Sequence, residues 1–104
     1  MIYKILTAAG IPFRQARWPD PPEGTHALIF DDVEADGPDG MPARIFAHNV
    51  TVELYEDVAD PEAEAAFEAQ LAAEGIHWAK QARYWLDNIK KYQTIYELTY
   101  YTKT

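Results

Sequence analysis

Three histidines and seventeen carboxylates are the residues of this chain suited to holding a metal or moving a proton. His26, His48 and His77 fall on three separate predicted elements, and none has a second ligand at a spacing such as His-x-His or His-x3-His. Polar residues satisfied within the fold are expected there rather than a metal site. Asp31 and Asp32 are adjacent on a predicted strand and point to opposite faces, so they do not form an acid–base pair held in two environments. The segment Glu34-Ala-Asp-Gly-Pro-Asp-Gly-Met-Pro42 gathers Asp36 and Asp39 among Gly37, Pro38 and Gly40. It has the oxygens of a calcium loop but neither the regular ligand alternation nor the closing bidentate Glu. A solvated hairpin tip is expected, with ordering against a neighbouring subunit as the alternative. The chain has no Cys and no Ser, which removes thiolate ligands, disulfides and the commonest nucleophiles. Its five glycines are scattered, and none opens a helix with phosphate-loop spacing. No catalytic residue, cofactor or metal is expected, and the chain does not read as an enzyme.

Composition narrows the partners. A length of 104 residues fits a single domain, 1–104, with a modest core that oligomerisation would supplement. The net charge of −8 disfavours binding to nucleic acid or to anionic membranes, both of which rely on Lys and Arg. An acidic surface suits a basic partner, or a wall that nucleic acid passes without sticking. Fourteen aromatics, seven of them Tyr, exceed the needs of one small core and favour protein interfaces. No run is long and apolar enough to span a membrane, and the N-terminus lacks a signal-peptide layout, so intracellular synthesis is expected.

These residues are positioned by an expected order α-β-β-β-α-β-β. Ile2, Ile5, Leu6 and Ala9 repeat at helical spacing over 2–9, closed by Gly10 and Pro12. Phe13 to Trp18 reads as a short extended segment, and Pro19 to Gly24 as a stiff connector or an exposed ridge. Strands are expected at 26–33 and 44–56, where Val50, Val52 and Leu54 alternate with Thr51, Glu53 and Tyr55. Asp60-Pro61-Glu62 reads as N-cap, first helical residue and dipole-compensating acid of a helix over 61–74, ended by Gly75. Phe67 and Leu71 belong to its buried face. Glu64 and Glu68, like charges four apart with no basic residue on the helix, are expected on a solvated face able to receive a basic partner. Trp78, Ala82, Trp85 and Ile89 suit a further helix, but the aromatics and the Asp87-Asn88 turn favour strands at 76–86 and 92–102. Tyr100 and Tyr101 then face opposite ways, which puts one of them at a surface or interface. The fold class is α+β, a mainly antiparallel sheet of four to five strands backed by two helices.

The opening Ile2-Tyr-Lys-Ile-Leu6 with Gly10-Ile-Pro-Phe13, the strand Val50-Thr-Val-Glu-Leu-Tyr55 leading into an acidic helix, and the closing Tyr92-Gln-Thr-Ile-Tyr-Glu-Leu98 resemble the tail-completion proteins of long-tailed bacteriophages and prophages, also called tail-terminator or tail-to-head joining proteins. The resemblance implies a non-enzymatic virion subunit, made in the host bacterial cytoplasm and placed at the tail–neck boundary. It further implies a homo-oligomeric ring, hexameric in this group, that caps the tail tube, joins the head connector and lets DNA pass through its lumen without specific binding. Asp36 to Gly40, Glu64, Glu68 and Tyr101 are then candidate subunit or partner contacts. The alternative function is a small acidic interaction or inhibitor module that blocks a basic partner.

Overall fold

A computed structural model describes residues 1–36 and 45–103. Two helices and a six-stranded sheet follow the order α1 (Ile2–Ala8), β1 (Phe13–Gln15), β2 (His26–Asp36), β3 (Ile45–Glu56), α2 (Pro61–Ala73), β4 (Trp78–Lys80), β5 (Tyr84–Leu86) and β6 (Lys91–Lys103). This is the expected α+β class. The sheet runs β1-β2-β3-β6-β4, with β5 also on β6, and every pair is antiparallel except β1 with β2. The central trio β2-β3-β6 is long because its strands alternate over eleven to thirteen residues without a Pro or Gly to interrupt the ladder.

Both helices end by the same device. Gly10 (φ 75°) and Gly75 (φ 71°) take the left-handed conformation that an L side chain resists. The next residue then folds back: the Ile11 N–H reaches the Leu6 carbonyl and the Ile76 N–H the Leu71 carbonyl, at 3.0 and 2.9 Å. The two isoleucines are thereby buried beside Ile2, Ile5, Leu6, Phe67 and Leu71. Asp60 caps α2 as its sequence indicates, accepting the Ala63 N–H at 3.1 Å, and its other oxygen takes the Thr25 hydroxyl at 2.7 Å.

Against the helices the sheet presents Ala27, Ile29, Val50, Val52, Leu54, Tyr96, Leu98 and Tyr100, all buried. The Phe67 ring stands edge-on to Tyr96 at 4.9 Å between centroids, which makes the junction of helix and sheet aromatic. The face opposite the helices carries the alternate residues, including Phe30, Asp32, Thr51, Glu53, Glu97, Thr99 and Tyr101. The distal end of β2 extends past the helices: Val33, Glu34 and Ala35 are exposed although paired to β3.

The expected strand over 76–86 is split. Gln81 still pairs with Ile95, but Tyr84 pairs with Gln93, so three steps on this side match two on β6. The extra residue is a bulge at Ala82-Arg83, which interrupts the period-two pattern and re-aims Arg83.

Candidate functional site

The bulge completes a charged cluster under α2. Arg83 donates from Nη2 to Glu64 Oε2 at 2.6 Å, while its Nε lies 3.5 Å from Glu56 Oε1. Lys80 meets Glu64 Oε1 at 2.9 Å and Glu68 Oε2 at 2.8 Å, and the Tyr96 hydroxyl also donates to Glu68 at 2.8 Å. Glu64 therefore does not lie on a solvated face. It is 4% exposed, and the bases that neutralise it come from β4 and the bulge rather than from its own helix or from a partner. The local sequence of α2 could not show this, because Lys80 and Arg83 follow the helix by more than a turn and reach it only through the fold. The lone irregularity of the strand pattern, Lys80 on an apolar face, was the available signal.

Glu56 is fully buried at the end of β3. Its Oε2 accepts the Asp60 N–H at 2.9 Å, which ties the strand to the helix cap, whereas Oε1 has no hydrogen-bond partner. Burial, followed by the hydrogen bond and charge of Glu64, pushes its carboxyl up to about 7. Burial also acts to raise Glu64, but hydrogen bonds from Arg83, Lys80 and Glu56 outweigh it and hold that carboxyl below its ordinary value. Two carboxylates driven apart in this way are the pattern of an acid–base pair. Here, however, Glu56 has no exposed surface and Arg83 and Lys80 cover Glu64, so the geometry is that of a clasp binding α2 to β3 and the bulge.

The pH dependence follows from Glu56. Its folded-state value, about 7, lies above the ordinary 4.5, so ionising it opposes folding. Stability linked to this group is greatest below the ordinary value, declines as pH rises through 7, and is flat beyond. Glu56→Gln keeps an acceptor for the Asp60 N–H and removes the charge. The variant is expected to be more stable than the parent at pH 8 by on the order of 1–3 kcal/mol, with the gain vanishing only below the ordinary carboxyl value, at about pH 3.5. Chemical denaturation at the two pH values measures this.

The three histidines occupy separate places. His26 is buried between Trp18 and Tyr55, with Nδ1 2.9 Å from the Gly24 carbonyl. His48 lies between Asp31 and Thr102, at 3.1 and 2.9 Å, and stacks on Tyr100. His77 is exposed. Among the described residues no three His, Asp or Glu side chains converge on a point that would hold a metal ion. Asp31 and Asp32 separate to the two faces: Asp31 binds His48, and Asp32 lines a groove on the helix-free side.

That groove, about 720 Å³, is bordered by Asp32, Asn49, Thr51, His77, Trp78, Glu97, Thr99 and Tyr101. Its lining mixes the polar groups of Asp32, Asn49, Thr51, Glu97 and Thr99 with a larger apolar share from Val50, Trp78, Ala79, Leu98 and Tyr101, and it contains no nucleophile paired with a base. A smaller hollow of about 290 Å³ at the other end of the same face is lined by Arg17, Trp18, His26, Leu28, Tyr55 and Lys91. It is partly roofed by the Pro19–Gly24 segment, which is pinned to the body where the Gly24 N–H donates to Asp57 at 2.6 Å.

Of the sequence-derived contact residues, Tyr101 stands 66% exposed beside the large groove while Tyr100 is buried. Glu68 is half-buried and engaged by Lys80 and Tyr96, and Glu64 is consumed within the clasp. Asp36 ends β2, opposite Ile45. Gly37, Pro38, Asp39 and Gly40 lie outside the described residues. No helix among the described residues is long and apolar enough to cross a membrane.

No family model matches the chain, and no curated protein matches its sequence. In three dimensions it is similar to a chain in the virion of a native gene transfer agent (GTA) particle, with a TM-score of 0.58 and 12% identity over 99% of this chain and 92% of that one. At such identity the likeness establishes architecture: the fold, end to end, is one that a component of a virion also uses.

Proposed function

We propose that the chain is a non-enzymatic structural subunit of a phage-like particle, one that completes the tail: it assembles as a ring, hexameric by the sequence resemblance, caps the tail tube and joins it to the head connector. The observation that carries this reading is the fold shared over nearly the whole of both chains with a component of the GTA virion. The surface supports it further. Glu56 and Glu64 are locked in a clasp, while the helix-free sheet face is acidic at Asp32, Glu53 and Glu97 and edged by exposed Phe30 and Tyr101. An acidic face of this kind repels phosphate backbones, as the wall of a DNA passage must.

Native mass spectrometry and negative-stain imaging test the reading. The expected result is a six-subunit ring that binds purified tail tubes at one end; a protein that stays monomeric at all concentrations and binds neither tube nor connector overturns it. The same acidic face favours a second reading, an interaction module that blocks a basic partner. Salt-sensitive capture of one basic protein by the monomer would support that alternative.

A further inference from the structure

The sign of the helix-free face reverses at the small hollow beside Trp18. The large groove of that face is bordered by Asp32 and Glu97 and by no Lys or Arg, whereas the hollow is bordered by Arg17 and Lys91 and by no carboxylate. Several cations of this acidic chain are engaged by its own acids: Lys80 and Arg83 in the clasp, Lys90 on Asp87, Lys91 on Asp57. Arg17 is exposed, and among the described residues no carboxylate lies within ion-pair distance of it or of Arg14, whose guanidinium sits 5.4 Å over the Trp18 ring. The interior is aromatic: Trp18 stands edge-on to His26, and His26 stacks on Tyr55, at 5.7 and 5.6 Å. The polar atoms of these rings are mostly taken. Trp18 Nε1 donates to the Ala27 carbonyl at 3.0 Å, and the Tyr55 hydroxyl donates to Glu53 at 2.8 Å and accepts from Gln93 at 3.0 Å. His26 Nε2 apart, what they offer a ligand is ring surface.

Both walls are held in conformations that the backbone resists. Ala16 (φ 62°) and Lys90 (φ 56°) are the non-glycine residues with left-handed backbone among the described ones. Ala16 leads into Arg17 and Trp18 on one wall, and Lys90 sits between Ile89 and Lys91 on the other. The Arg17 N–H reaches the Gln15 carbonyl at 2.7 Å, so Ala16 is the centre of a three-residue turn of the rare, strained kind. Outliers of this sort gather where a fold holds side chains ready for a ligand. Pro19, Pro21 and Pro22 stiffen the first wall. Asp57 ties the two walls together, accepting the Gly24 N–H from one and the Lys91 ammonium from the other. A cleft fixed in advance loses little freedom when it is filled.

We propose that this hollow is the docking site for an acidic segment of a partner protein, which lays one aromatic side chain against Trp18 and Ile89 and sets a neighbouring carboxylate against Arg17 and Lys91. Charge complementarity selects the acid, because the rim is cationic where the rest of the face is not. Ring surface on the inside selects the aromatic, whose faces and edges pack on other rings without needing a free polar partner. A volume of about 290 Å³ is at the lower limit for a small-molecule pocket, so the hollow takes a single side chain rather than a cofactor. The proposal goes beyond the self-assembly reading and does not depend on it, since every group named belongs to one copy.

Titration with the peptide acetyl-Gly-Glu-Phe-Asp-Gly-amide, followed by heteronuclear NMR, tests this, because the Trp18 indole N–H is a reporter within the wall itself. The expected result is a saturable shift of the Trp18 indole and of the Arg17, Ile89 and Lys91 amides with a Kd of about 1 mM, the strength that one buried ring and two exposed ion pairs support. Replacing the peptide's Phe by Ala, or its two acids by Lys, is expected to weaken binding about tenfold or more. Arg17→Glu should weaken the acidic peptide about tenfold and strengthen the Lys-Phe-Lys one, with the rest of the spectrum unchanged because Arg17 is exposed. Absence of shifts at these residues, or equal affinity for the acidic and basic peptides, overturns the proposal. Tighter binding of AMP at the same residues overturns it in favour of an anionic small molecule. Shifts there that grow with protein concentration alone overturn it in favour of a second copy.

Discussion

Arg83→Ala is expected to lower the unfolding free energy by about 3 kcal/mol at neutral pH, the low end of what breaking a buried pair costs. The deletion leaves Glu64, 4% exposed, with Lys80 as its remaining cation, and leaves Glu56 with no positive charge beside Oε1. The low end applies because Arg83 is itself one-third exposed and partly screened. The pH dependence identifies the mechanism. Glu64 titrates below its ordinary value because of Arg83 and Lys80, so the stability it contributes is present above that ordinary value and is lost as pH falls through the folded-state one. The difference between parent and variant should therefore shrink in acid, as both lose the charged pair. An equal deficit at pH 3.5 and pH 7.5, measured by urea denaturation, would show that Arg83 acts by packing alone. The double variant Arg83→Ala/Glu64→Leu is expected to recover much of the loss, since no unpaired buried charge remains.

Phe67→Ala has the larger expected effect, about 3–5 kcal/mol, as for other fully buried aromatics cut to Ala. Phe67 is 0% exposed and contacts the Tyr96 ring edge-on, so the cavity lies between helix and sheet where neither backbone can close it. In a domain whose total stability is about 5–15 kcal/mol, that loss leaves a substantial unfolded fraction. The denaturation midpoint should fall with the slope unchanged. Because Tyr96 also donates to Glu68, the variant is expected to loosen the Lys80–Glu68 contact, visible as faster amide exchange at Ala79 to Gln81. Together the two variants separate what the apolar layer contributes from what the clasp contributes.

The local elements of this fold were legible because their signals are local. Asp60-Pro61 starts α2, Gly10 and Gly75 end the helices, and the alternation around Val50, Val52 and Leu54 commits β3 to one buried face. Val50, Val52, Leu54, Phe67 and Leu71 all lie in the core for that reason. Tyr100 and Tyr101 part to opposite sides as period two requires. The three-residue strand β1 also fits the extended reading of Phe13 to Trp18, although its parallel pairing with β2 is a matter of topology alone.

Sequence by itself therefore determined the class of fold, the buried faces of β3 and α2, and a chemistry poor in nucleophiles and rich in interface aromatics. It could not determine the fate of Glu64, whose helix looks like a bare acidic surface until a bulge 19 residues further along the chain brings Arg83 onto it. Nor could it reveal that Glu56 is buried, since a strand-end glutamate is ordinarily solvated and only the Asp60 N–H and the bulge enclose this one. The hollow beside Trp18 is likewise a property of the tertiary structure, since Arg17 and Lys91 lie far apart in the chain and border it together. Periodicity is set by each residue's neighbours in the chain, whereas charge pairing and the walls of a hollow are set by residues that meet only after the sheet has closed around its core.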